Sequence, residues 1–213
     1  MSNRQLSKTP LPRRGRPPKS GVSPEETRAR LVQHGIQIFT EKGFSQAGLD
    51  EILKHQKVPK GSFYHYFQNK EAFGEVVIQE YAQYFSSKLA RHFSNTKLSP
   101  VERLQAFVEE ACYGMQKYEF RRGCLIGNLG QELNSLPPAF RMQLEEVFQA
   151  WQAQLSQLLS EAQQLGELSL ESDVDALSAF FWVGWEGAIL KAKLMRSTQP
   201  MQLFINYYLK LLD

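Results

Sequence analysis

Residues 58–70 read Val58-Pro59-Lys60-Gly61-Ser62-Phe63-Tyr64-His65-Tyr66-Phe67-Gln68-Asn69-Lys70, and this stretch sets how the rest of the chain is organised. Pro59 opens a helix well, because the first turn leaves its amide donors unpaired and proline has none to leave. A short helix is predicted from Lys60 to about His65. Asn69 then caps a long helix running from Lys70 towards Phe93. Just upstream, Leu49, Ile52 and Leu53 carry another short helix, from about 48 to 55, with Gln56 and Lys57 in the turn. Two short helices so closely spaced have the geometry of a helix-turn-helix. Gly61 lets the backbone approach a duplex closely. Lys60 and Lys70 suit phosphates, and Ser62, Tyr64 and His65 stand where a recognition helix offers polar groups to phosphates and base edges. Phe63 and Phe67 read as the aromatics that hold this helix on its own core.

Upstream lies a helix that starts at Ser23, with Pro24 at its first position and Glu26 completing a capping box. Leu31, Val32, Ile36, Ile38 and Phe39 give it an apolar stripe, Gly43 stops it, and Phe44 returns to the core. Thr27 is placed to donate to a phosphate, and Gln46 precedes a helix N-terminus that suits another. Before Ser23, residues 1–22 are rich in Pro, Gly, Ser and basic side chains and read as a flexible arm. The chain carries 25 Lys and Arg against 22 Asp and Glu, a net charge of only +3. The asymmetry matters more. Arg4, Lys8, Arg13, Arg14, Arg16, Lys19, Arg28 and Arg30 face only Glu25 and Glu26, which suits a polyanion. Arg14-Gly15-Arg16-Pro17 is similar to the core of an AT-hook, whose arginines enter a narrow minor groove. A solubilising tail with weak phosphate contacts is the plainer reading of the same residues.

Downstream the pattern stays helical. Ser99, Pro100 and Glu102 repeat the cap logic and open a helix to about Glu119. Gly123, Gly127 and Gly130 make 120–136 a short, irregular helix. Pro137 and Pro138 open a long one to about Leu165, stopped by Gly166. Another starts at Ser172 or Asp173, and Gln199–Leu212 closes the chain. No strand pattern or repeat is present. The expectation is an all-α fold of about nine helices: arm 1–22, helix-turn-helix domain 23–68, and a helical body 69–213. No apolar run is long enough to span a bilayer and no secretory signal is legible, so a cytoplasmic protein is expected. Cys112 and Cys124 form no disulfide framework, although a bridge between them stays open. There is no phosphate loop, metal-ligand spacing or nucleophile elbow, and His34, His55, His65 and His92 are scattered. No catalytic residue, metal or cofactor is assigned, and an enzyme is not expected.

Residues 27–73 resemble the helix-turn-helix of the TetR family of bacterial repressors, with the glycine, the aromatics and the Asn69-Lys70 pair in the family's order. That resemblance implies a homodimer on a palindromic operator and a body holding a small-molecule pocket. It also implies a dimer seam from the last two long helices, about 173–195 and 199–212. Phe180, Phe181, Leu190, Leu194, Leu203, Phe204, Tyr207 and Leu211 are apolar enough for it, and Gly184, Gly187 and Ala188 permit close approach.

Two further segments, Arg121-Arg122-Gly123-Cys124-Leu125-Ile126-Gly127-Asn128-Leu129-Gly130-Gln131-Glu132 and 181–193, resemble the acrylate-responsive repressors of this family. Those control genes for acrylate and dimethylsulfoniopropionate. The Gly-Cys-Leu element is shared with the electrophile-sensing repressors of N-ethylmaleimide reductase, where the cysteine matching Cys124 is the sensor. A small anion with an activated double bond needs a cation and an apolar wall. Arg121 or Arg122 is the candidate cation, and either lowers the thiol pKa if adjacent. A helix beginning at Cys124 would favour the thiolate further. Tyr113, Phe120, Trp182 and Trp185 are candidate walls, and Asn128, Gln131 and Glu186 candidate orienters. Three readings of Cys124 stay open: it lines a reversible site, it is alkylated or oxidised, or it is an inert buried thiol. At the level of function the alternatives are an inducer other than acrylate (a quinone, an aldehyde or hypochlorous acid) and a constitutive architectural binder with no inducer.

Overall fold

The computed structural model describes residues 23–56 and 58–212. Among these the regular structure is helical throughout. The helices are α1 (Pro24–Lys42), α2 (Leu49–Gln56), α3 (Lys60–Phe63), α4 (Lys70–Phe93), α5 (Pro100–Lys117) and α6 (Leu125–Gly130). After a 3-10 turn at Leu133–Ser135 come α7 (Pro138–Gln164), α8 (Val174–Met195) and α9 (Gln199–Leu209). No described helix is long and apolar enough to cross a membrane.

The helix ends follow local chemistry. Ser23 Oγ accepts from the Glu26 amide at 3.1 Å. The expected capping box is only half made there, because the Glu26 carboxylate turns forward to Arg30 at 2.6 Å. The full box forms at α5, where Ser99 and Glu102 exchange both bonds. Asn69 Oδ1 accepts from the Ala72 amide at 2.7 Å and starts α4. Gly43 ends α1 at φ 81°, a conformation that a side chain would strain. Three helices stop short of expectation. α3 ends at Phe63 rather than His65. α5 ends at Lys117 because Glu119 and Phe120 both take the left-handed conformation. α9 gives way at Leu209 to a turn that buries Leu212.

Two aromatic groups organise the core. In the N-terminal part Phe39, Phe44, Phe63, Phe67 and Phe73 meet mostly edge to face, so the α2–α3 unit is held on α1 and on the start of α4. Phe63 and Phe67 are both buried, as their spacing predicts. In the body Phe85, Phe107, Trp151, Trp182 and Trp185 join α4, α5, α7 and α8. α4 packs on α1 as well as on α5 and α7, so it ties the two parts together.

Candidate functional site

Two surfaces carry the residues singled out by sequence. The first is the α2–α3 face. Lys60, Gly61, Tyr64 and His65 are exposed there, Ser62 is half-buried, and Gln46 is exposed at the turn before α2. Tyr64 leaves 52% of its surface open while its ring edge touches Phe63 at 5.5 Å. Among the described residues, nothing beyond its chain neighbours and the backbone of its own helix lies within 4 Å of a Cβ built on Gly61, so the missing side chain serves no packing there. That space is free for something outside the chain. Lys60 pairs with Asp50 at 3.1 Å, an exposed contact that a phosphate can replace. Two of the expected phosphate contacts have partners within the chain. The Thr27 hydroxyl donates to Ser23 O at 3.0 Å within its own helix. Lys70 Nζ turns inward to Phe44 O at 2.7 Å and sits 4.3 Å over the Phe44 ring, and partial burial lowers its pKa. Arg14 and Arg16 lie outside the described residues.

The second is a cavity of about 390 Å³ between α1, α4, α5 and α8, closed at one side by the loop into α6. Ile36, Phe85, Phe107, Met115, Trp185 and Ile189 supply apolar wall, and Gln33, Gln37, Thr40, Tyr81 and Tyr84 add polar groups. Two cations line it. Lys88 pairs with Glu110 at 3.3 Å, and Glu110 also takes Arg91 and His92. Partial burial pushes the Glu110 pKa up, but these donors outweigh it and hold the group near 2. Arg122 is the second cation. Its Nε donates to Glu41 Oε1 at 2.8 Å and its guanidinium lies 4.2 Å over the Tyr118 ring. Glu41 belongs to α1, so this pair joins the cavity wall to the helix that supports α2 and α3.

Other bonds fasten the same junction. Asn128 Nδ2 donates to Thr40 O at 2.8 Å. The Glu132 carboxylate accepts from the Phe44 and Ser45 amides at 3.2 and 2.9 Å. Asn128 is therefore a junction residue rather than a ligand orienter.

Several expected wall residues lie elsewhere. Tyr113 is exposed and faces a separate groove beside Cys112. Trp182 is buried in the aromatic core and does not line the cavity, while Trp185 does. Phe120 packs against the core from its left-handed turn. Arg121 is exposed, 3.9 Å from Glu119, and Gln131 reaches back to Gly127 O at 3.4 Å. A helical or turn register sends consecutive side chains in different directions, so of Arg121 and Arg122 just one meets the cavity.

Cys124 lines the cavity and is the N-cap of α6 rather than its first residue; its Sγ accepts from the Gly127 amide at 3.4 Å. Both cysteines are free thiols. The expected lowering of the thiol pKa is reversed. Burial raises it well above its usual range, the Glu186 carboxylate raises it further, and the Gly127 amide only partly offsets them. Glu186, behind the thiol, is pushed to about 7 by burial, against a partial lowering by its contact with Cys124.

The expected seam is largely open on α8 and α9. Phe180, Leu190, Leu194, Tyr207 and Leu211 are exposed, together with Val183 and Leu203. Phe181 is instead buried, and Phe204 is half-buried with its ring packed over Gly184 of the same chain.

Sequence reasoning missed Glu41, Glu132 and the α4 face of Tyr81, Tyr84 and Lys88. Lys88 and Tyr84 have no local signature: Lys88 pairs with Glu110 of α5, and the cavity that Tyr84 lines is assembled from distant elements. Glu132 closed a quoted segment, but its amide partners are 87 and 88 residues away.

Comparison with known proteins bears on both surfaces. Residues 31–75 match the family model for bacterial regulatory proteins of the tetR family, and residues 100–208 match the tetracyclin repressor-like C-terminal domain. The chain is 49% identical to the transcriptional regulator AcuR of Cereibacter sphaeroides, over 92% of this chain and 90% of that one. A crystal structure of a regulatory protein TetR from Rhodobacter sphaeroides superposes with a TM-score of 0.86 at 47% identity, over 88% of this chain and 99% of that one. The reduced form of E. coli NemR superposes at 0.80 with 28% identity, over 88% and 97%.

Proposed function

This chain belongs to the TetR family of transcriptional regulators, DNA-binding proteins rather than enzymes, and from that premise we propose that it is a cytoplasmic repressor released from DNA by a small organic anion, acrylate foremost. In this reading residues 23–68 form the DNA-binding head and 69–213 the effector-binding and dimerising body, with the arm 1–22 adding contacts through Arg14 and Arg16. A homodimer joined along α8 and α9 sets two heads on successive major grooves of a palindromic operator. The genes controlled are those of acrylate and dimethylsulfoniopropionate metabolism. Lys60, Gly61, Ser62, Tyr64 and His65 meet the duplex, supported by their exposure and by the empty space around Gly61.

The observation that carries the effector reading is the Arg122–Glu41 pair on the cavity wall. A carboxylate entering the cavity competes with Glu41 for the same guanidinium. Arginine holds a carboxylate with two parallel bonds, so the exchange is close to balanced and small differences decide it. A ligand shifts the conformational equilibrium only by its differential affinity for the two states. Displacing Glu41 supplies that difference, because it removes one of the bonds holding α1 to the loop before α6. The cavity also disfavours the constitutive binder, which has no use for a cationic, aromatic-walled space.

Anisotropy of operator-length upstream DNA, titrated with acrylate, tests the reading. Release at modest concentration is expected, reversible on dilution. Arg122→Ala should raise the half-release concentration about tenfold or more, the scale of one lost charge-assisted bond. Glu41→Gln should lower it by removing the competitor. An Arg122→Ala protein with an unchanged half-release concentration overturns the assignment. A second reading, sensing of electrophiles at Cys124, is favoured by the presence of that thiol on the wall of the same cavity.

A further inference from the structure

We propose that Glu186 is the proton acceptor for Cys124, and that the two form a thiol-addition site for small α,β-unsaturated carbonyl compounds entering the cavity. The inference rests on the cavity being the effector site, and adds to it a residue that does not itself line the cavity wall.

The geometry brings three elements together. Cys124 presents its Sγ to the cavity from the cap of α6. Tyr81 of α4 stands beside it. Glu186 of α8 lies behind, against the first turn of α6: a methyl group at Gly127 would fall 1.9 Å from its Oε2. The Gly127 amide that donates to Sγ thus lies on the glycine against which the carboxylate packs. The two groups perturb each other: the carboxylate raises the pKa of the thiol, and the thiol partly lowers that of the carboxylate. The other carboxylate oxygen, Oε1, is buried with no hydrogen-bond partner among the described residues.

A buried carboxylate with an empty acceptor is costly and needs a reason. Nearby cations do not neutralise it. Arg122 is engaged with Glu41, and Lys193 of α8 points to Asn128 Oδ1 at 3.4 Å. Burial leaves Glu186 titrating near pH 7, the range in which a general base is most useful. Cys124 needs such a base. Burial and the neighbouring carboxylate keep its thiol protonated at neutral pH, so it has little free thiolate to offer.

The addition balances without any oxidant. Sγ forms a bond to the β-carbon while its proton passes to Glu186 Oε2. The π pair of the carbon–carbon double bond moves to the α-carbon. Glu186 then returns the proton to the α-carbon, leaving a saturated thioether and a free carboxylate. In this step Glu186 takes the proton of the reacting thiol itself, and it is catalytic in that sense.

The two roles available to Glu186 predict opposite signs, which makes the test sharp. Acrylamide is reacted with the full-length protein, and Cys124 and Cys112 are followed separately by peptide mass spectrometry across a pH series. If Glu186 is the base, Glu186→Gln slows Cys124 alkylation about tenfold or more near neutral pH. The wild-type rate then levels off above about pH 7, while the variant's rate keeps climbing with the thiol's own ionisation. Glu186→Asp retains the levelling, and Cys112 is unaffected in every variant. If Glu186 only repels the thiolate, Glu186→Gln reacts as fast or faster, and the proposal falls. It falls equally if wild-type Cys124 is never alkylated while Cys112 is. Acrylate-driven operator release by the wild-type protein reports separately on the cavity: its absence while Cys124 is still alkylated by acrylamide rejects the effector reading and not the thiol chemistry.

Discussion

A single ammonium shows how residue type and residue role separate. Lys70 follows an asparagine cap in a DNA-binding signature, and type alone assigns it to a phosphate. In the fold it donates to Phe44 O at 2.7 Å and covers the Phe44 ring, tying the α1–α2 turn to the start of α4. The two roles differ in what they predict. A phosphate contact contributes about one unit to the salt slope of operator binding. An internal tie contributes to stability instead. We expect Lys70→Ala to lower the urea midpoint by the equivalent of about 1 kcal/mol, the usual net worth of such a bond, and to leave the salt slope unchanged. A slope reduced by one, with an unchanged midpoint, would return Lys70 to the DNA. Cys124 teaches the same lesson: adjacent arginines and a helix N-terminus suggest a low pKa, but burial beside Glu186 prevails.

At the scale of elements, helix starts were legible because caps are local. Ser23, Asn69, Ser99 and Asp173 each hydrogen-bond an amide two or three residues on; the first three stand where sequence context places them, and the fourth settles a choice between Ser172 and Asp173. The ends were less legible, since α5 is cut short by a left-handed pair, Glu119 and Phe120, that contains no glycine. Least legible of all was what each element fastens to. The short α6 acts as a clasp: Asn128 holds Thr40 and the following Glu132 holds the Phe44 and Ser45 amides. If the effector signal crosses this clasp, Glu132→Ala should leave operator affinity within about threefold, while acrylate releases DNA much less sharply. It should also cost about 1–3 kcal/mol in urea unfolding, as expected for amides left without a charged acceptor. Normal release in a destabilised Glu132→Ala protein would show that the clasp is structural only.

Over the whole molecule the decisive feature is the apolar strip on α8 and α9. Leu194 is 73% exposed and Tyr207 62%, amid Phe180, Val183, Leu190, Leu203 and Leu211. A contiguous patch of this kind marks an interface more often than free surface. Leu194→Glu places a charge in it. We expect light scattering to report a monomer or a much weakened dimer, with helical content retained. Operator affinity should then fall by about two orders of magnitude, because one head alone cannot draw on the second half-site. An intact dimer in Leu194→Glu would move the seam elsewhere. By itself the sequence determined the all-helical class, the positions of the caps, the helix-turn-helix and the family, since each depends on neighbours a few residues apart. Tertiary structure alone decided that Arg122 rather than Arg121 meets the cavity and answers to Glu41, that Trp182 and Tyr113 do not line it, and that Glu186 stands behind Cys124. Those outcomes depend on which faces of distant helices meet, and on burial, which changes the charge a side chain carries without changing its name.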